Sequence, residues 1–135
     1  IDAEMGWHDA DMTRFSQWWK RAVRGGYAFA EGAALHGMPP EMHWVKESRR
    51  AWLWGLFFPL AIIMFSAVVD PLVLLVFAIY PIQVCRLAMK GGKSSYVNWA
   101  RATFLVVGKF PEVIGQIRYV VSSTSSRHAT LIEYK

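Results

Sequence analysis

Residues 51–87 read AWLWGLFFPLAIIMFSAVVDPLVLLVFAIYPIQVCRL, two apolar segments back to back with one interruption at Asp70-Pro71. The first, Ala51 to Val69, has no ionisable side chain and contains ten residues of the Leu, Ile, Phe or Val type. At the helical rise per residue it spans roughly 28 Å, against ~30 Å for the hydrocarbon core of a bilayer. Each such residue favours insertion at mid-membrane by about 0.3 to 0.6 kcal/mol, so together they favour it by about 3 to 6 kcal/mol. Pro59 removes one helical hydrogen bond and predicts a kink, which membrane helices tolerate. The segment reads as a transmembrane helix.

The second segment, Leu72 to Leu87, is less pure: Pro81 interrupts it, Gln83 is polar and Arg86 stands near its end. An arginine at mid-bilayer costs about 2.5 to 3.5 kcal/mol, but near a helix end its head reaches the interface. A full crossing is expected, with a re-entrant helix as the alternative. Two core helices of a soluble protein are the third reading. Such helices carry a polar stripe, and Ala51 to Val69 has none. Lys46, Arg49 and Arg50 precede the hairpin and Arg86, Lys90 and Lys93 follow it, while the turn offers only Asp70. Basic residues stay on the cytoplasmic side. The expected orientation in a cell (inner) membrane therefore has both termini cytoplasmic and the Asp70-Pro71 turn outside.

At 135 residues the chain is one domain at most. Among its seven tryptophans, Trp44, Trp52 and Trp54 cluster where an interfacial aromatic belt would place them. The net charge of +5 suits an anionic lipid surface, and membrane lipid is the expected partner. No nucleic-acid reading motif accompanies that charge, so nucleic acid is not an expected partner. Cys85 is the only cysteine, which excludes an internal disulfide and a cysteine zinc site; it is expected to be a buried small hydrophobe. The first residues are acidic and polar, unlike a secretory signal, and the chain is expected to be a fragment that continues upstream of Ile1.

Outward from the hairpin, Ile1, Ala3, Met5 and Trp7 alternate with Asp2, Glu4 and Gly6, which predicts a strand belonging to a sheet that this chain does not supply. A polar turn, His8 to Asp11, leads to a helix over about Met12 to His36, capped by Asp11 or Thr13. Its apolar face holds Phe15, Trp18, Trp19, Ala22 and Val23, and its basic face Arg14, Lys20, Arg21 and Arg24, the pattern of an interfacial helix. Gly25-Gly26 predicts a break, a bend or a close backbone approach. After the hairpin, Gly91 to Ser95 reads as a loop, Tyr96 to Val107 and a piece ending near Val121 as amphipathic interfacial helices, and Ser122 to Lys135 as a loose polar tail.

The expected fold class is mainly α: a transmembrane helical hairpin with flanking amphipathic interfacial helices, and a short N-terminal strand that by resemblance, given next, is left over from an absent α/β catalytic domain. Its divisions fall at 1–11, 12–50, 51–89, 90–121 and 122–135.

The acidic and apolar strand before His8, the basic aromatic helix from Phe15 to Tyr27, and the membrane helices beyond resemble the end of the catalytic domain in membrane-anchored, polysaccharide-synthase-like members of glycosyltransferase family 2. The residue pattern covers about the first quarter of the chain; the rest matches in architecture alone. The resemblance implies a membrane-bound inverting glycosyltransferase moving a sugar from a nucleotide-sugar donor to a lipid-linked or polysaccharide acceptor. It places His8 near a metal or diphosphate, with Asp9 available to orient it. A turn histidine bonded to backbone is the other reading of His8.

Gln17 to Arg21 resembles the Gln-x-x-Arg-Trp acceptor motif of such synthases, with Lys20 where arginine is expected and Arg21 where tryptophan is expected. Gln17, Trp18 and Trp19 would then contact acceptor, and Arg21 and Arg24 a diphosphate or lipid phosphate. A helix face resting on lipid, with solvated charge, explains the same residues.

The family's aspartate pair and general-base carboxylate have no counterpart in these residues, so no catalytic residue is assigned and the fragment alone is expected to be inactive. A divalent metal, Mg or Mn, is expected for the full-length enzyme and none for this fragment alone. Nucleotide-sugar and glycan acceptor are expected as partners through the missing catalytic domain. A small non-enzymatic membrane scaffold or assembly partner is the alternative function.

Overall fold

The computed structural model describes residues 14–90 and 95–132, with side chains as far as Ser125. The chain is mainly helical, and no strand occurs among the described residues. The expected strand over Ile1 to Trp7, the capping residues Asp11 and Thr13, and the loop residues Gly91 to Ser94 lie outside them.

Helix α1 spans Phe15–His36 with Arg14 at its N-cap position. It passes through Gly25-Gly26 without a break. The pair instead permits a close approach, because a Cβ on Gly26 would run into the Glu112 backbone while one on Gly25 would meet nothing. The first span follows as one continuous run, Val45–Val68. It consists of α2 (Val45–Trp52), a π-helical segment (Leu53–Phe57) and α3 (Phe58–Val68).

The π-segment is the local answer to Pro59. In an α-helix the Phe58 N–H would bond to the Trp54 carbonyl; here it donates to Leu53, one residue farther back. Pro59 has no N–H to offer, and its ring would press on the carbonyl of Gly55 in an unwidened helix. The Trp54 carbonyl left over accepts from the Tyr80 hydroxyl at 2.6 Å. The expected kink is thus a widened turn, closed by a side chain of the second span.

Asp70, with extended backbone, caps that second span by accepting from the Leu72 N–H at 2.7 Å, and Pro71 occupies the first helical position. The span begins as a 3-10 segment, Pro71–Ala78, and continues as α4, Ile79–Lys90. Pro81 falls in the first turn of α4, where its missing N–H interrupts least.

Two helices close the fold: α5, Tyr96–Val107, and α6, Lys109–Ile132. The expectation of a loose tail from Ser122 is corrected, since α6 runs through Ile132. Its hydroxyl residues turn back onto their own helix: Ser122 bonds to the Tyr119 carbonyl, and Ser123 and Thr124 to the Val120 carbonyl.

The interior is built at small residues. Ala51, Gly55, Ala88, Ala102, Gly108 and Gly115 are buried, and they let helices meet backbone to backbone. Contacts between α1 and α6 climb together, from Trp18 near Gly108 to Tyr27 near Ser122, so the two helices run in the same sense. Against the first span, α6 runs the opposite way: Gly55 faces Lys109 and Val113, and Ser48 faces Gln116. Gln116 is fully buried and bonded to Ser48, accepting from its hydroxyl at 2.8 Å and donating to its carbonyl at 3.2 Å. The N-terminal half of α6 is therefore a central helix gripped by protein, and not a helix lying on lipid by one face as expected from its pattern.

Both spans remain largely uncovered. Val45–Val68 and Pro71–Lys90 are long and apolar enough to cross a membrane, each with mean hydropathy 2.0, and only 17% and 6% of their apolar windows are buried. Large apolar side chains such as Phe65, Val68, Leu72 and Leu75 stand 60% or more exposed. Core helices of a soluble protein would be covered. Cys85, expected to be buried, is exposed on the outer face of α4.

Candidate functional site

At the basic end of the hairpin, opposite the Asp70-Pro71 turn, a cavity of about 420 Å³ opens between α2, the π-segment, α4 and the α5–α6 joint. Helical periodicity builds its walls. On the first span Glu47, Arg50 and Trp54 recur at three and four residues and share one face. On α4 the same spacing aligns Tyr80, Gln83, Leu87 and Lys90, with Arg86 beside them. Leu105, Val106 and Lys109 enter from the joint between α5 and α6.

The lining is graded along the spans. Tyr80 and Trp54 lie toward the apolar middle and are tied by the hydroxyl-to-carbonyl bond; their rings meet edge-on at 6.0 Å. Arg50, Arg86 and Lys90 lie toward the charged end. From Tyr80 to Lys90, α4 rises about 15 Å.

The charges are unbalanced. Lys109 is paired with Glu112 at 2.6 Å, both side chains largely covered. Arg50, Arg86 and Lys90 make no ion pair among the described residues, and Glu47 is the only acidic group in the lining. A smaller cavity of about 240 Å³ shares Leu87, Lys90 and Leu105 with the first and adds Arg101 to the same basic end.

The residues singled out from the sequence lie elsewhere. Gln17, Arg21 and Arg24 come together on one exposed face of α1 at four- and three-residue spacing. Trp18 and Trp19 are half-buried in an aromatic cluster with Phe15, and Trp18 reaches Phe104 of α5 at 4.9 Å between rings. None of these five lines the cavity. His8 lies outside the described residues.

Among the described residues no three His, Cys, Asp or Glu side chains gather where a metal ion could bind. Trp44 turns back onto α1, its ring edge-on to Phe29 at 5.5 Å and filling the space beside Gly32, while Trp54 packs between Phe58 and Tyr80.

In the sequence the arginines and lysines of the hairpin bear on orientation alone, and the cavity is not legible from them. The available signal was the stripe Tyr80, Gln83, Arg86, Lys90, a polar line along one face of an otherwise apolar span. Lys109, the wall contributed from farther along the chain, has no such signal. No protein-family model matches the chain, and neither does any curated protein or solved structure.

Proposed function

We propose that this chain is the membrane-anchoring C-terminal portion of an inverting family 2-like glycosyltransferase, transferring a sugar from a nucleotide-sugar donor to a lipid-linked or polysaccharide acceptor. The observation that carries the reading is the uncovered apolar surface of two membrane-length helices, with arginines and lysines gathered at one end. That surface suits surrounding hydrocarbon, and the charge asymmetry supports an orientation with both termini on the cytoplasmic side of the cell membrane, where nucleotide-sugars are used.

The glycosyl-transfer part rests on the residue pattern around His8 and Gln17. The α1 face carrying Gln17, Arg21 and Arg24 is open on the side away from α6, which leaves amide and guanidinium groups available to hydroxyls and phosphate. Inversion requires a base on the acceptor hydroxyl and stabilisation of the departing diphosphate, which a divalent metal supplies. In this reading a preceding catalytic domain contributes both, and the present residues orient acceptor and leaving group.

The test is sugar transfer from labelled nucleotide-sugars by membranes carrying the full-length protein. His8→Ala and Gln17→Ala are expected to reduce transfer at least about tenfold, the scale of lost general acid–base or orienting contacts, with membrane insertion unchanged. Transfer unaffected by both substitutions removes these residues from the site. No transfer with any nucleotide-sugar favours the non-enzymatic membrane scaffold.

A further inference from the structure

The cavity at the basic end is polar at one end and aromatic at the other, and that gradient specifies its ligand. A soluble anion would use Arg50, Arg86 and Lys90 but leave Trp54, Tyr80 and Leu105 wet. A purely apolar ligand would leave guanidinium and ammonium groups without partners. A phosphate ester on a hydrocarbon tail satisfies both ends. The volume falls in the usual range for small-molecule sites, about 300 to 1,000 Å³.

We propose that this cavity binds one anionic phospholipid of the surrounding membrane, its phosphate held by Arg50, Arg86 and Lys90 and the start of its acyl chain descending along Trp54 and Tyr80. Basic pockets between membrane helices on the cytoplasmic side are where headgroup phosphates dock. Three features fit this chain in particular. The three cations come from two different spans and are unpaired among the described residues, so binding a phosphate between them ties α2 to α4. Lys109 is already neutralised by Glu112 and serves as wall. Gln83, with amide donors midway along the stripe, is placed for the glycerol and ester oxygens below the phosphate. The proposal rests on the membrane placement of the spans and is independent of glycosyl transfer.

The test uses the full-length protein purified in a neutral detergent and stripped of lipid, titrated with phosphatidylglycerol and, separately, with phosphatidylcholine and inorganic phosphate, with bound lipid counted by native mass spectrometry. One phosphatidylglycerol is expected to bind in preference to phosphatidylcholine. Arg50→Ala/Arg86→Ala is expected to weaken it at least about tenfold, whereas Arg118→Ala, an exposed cation on α6 away from the cavity, leaves it unchanged.

Equal weakening by Arg118→Ala means diffuse charge attraction and overturns the site. Displacement by millimolar inorganic phosphate overturns the tail's role and leaves a simple anion site. Unchanged binding in the double variant overturns the proposal outright, provided its helical circular dichroism matches the parent; if it does not, Arg50→Gln and Arg86→Gln are read singly by the same criterion. A chain that stays folded and monodisperse without detergent instead removes the membrane premise, a separate failure.

Discussion

Gly25 and Gly26 are adjacent in sequence and opposite in packing. A methyl group on Gly25 meets nothing within 4 Å, whereas on Gly26 it overlaps the Glu112 carbonyl of α6, and on Gly115 the Val23 carbonyl of α1. Gly25→Ala is therefore expected to stabilise the protein by up to about 1 kcal/mol through helix propensity. Gly26→Ala is expected to destabilise it by about 1 to 3 kcal/mol, because backbone has to move. Thermal unfolding in detergent micelles reads both; effects of the same sign would mean that α1 and α6 do not cross at Gly26. The pair was recognisable in the sequence as a special position. Which glycine mattered was not, since that depends on a helix some eighty residues away in the chain. Gln17, Arg21 and Arg24 show the converse: helical spacing alone places them on one face, and the structure keeps them there.

At the scale of the element, the spans follow from composition, because ten large apolar residues without a charge leave few alternatives to a buried or lipid-embedded helix. Their internal turns do not follow so directly. Pro59 announces a missing hydrogen bond, but the choice of a widened turn depends on Tyr80 being across from Trp54 to take the spare carbonyl at 2.6 Å. Tyr80→Phe is expected to cost about 0.5 to 1.5 kcal/mol. In a Pro59→Ala background an N–H becomes available at that turn, so the cost should shrink, with a coupling of about 0.5 kcal/mol or more in the double-mutant cycle. Strict additivity would separate the proline from the tyrosine. The serine-rich end of α6 misled for a related reason. Serine and threonine weaken a helix by competing for its backbone, yet here their hydroxyls bond carbonyls three and four residues back and leave the ladder intact.

For the whole molecule, polarity divides along the long axis of the hairpin. The Asp70-Pro71 end carries Asp70 as its one charged side chain, and α1, α6 and the basic cavity all gather at the other end. The hairpin and its charge bias could be read in advance because both are local properties of the chain. The grip of α6 between α1 and the first span could not, since it rests on Gly55, Gly115 and Gln116, residues without a periodic signature. Everything proposed for the molecule depends on the hairpin crossing a bilayer from the cytoplasmic side. The most direct measurement is thiol labelling in intact cells with a membrane-impermeant maleimide, in a Cys85→Ser background carrying either Val69→Cys or Lys46→Cys. Val69→Cys should be labelled from outside and Lys46→Cys only after lysis, both in the membrane fraction. Protection of both until lysis, or recovery of the chain as a folded protein in the soluble fraction, would contradict the crossing.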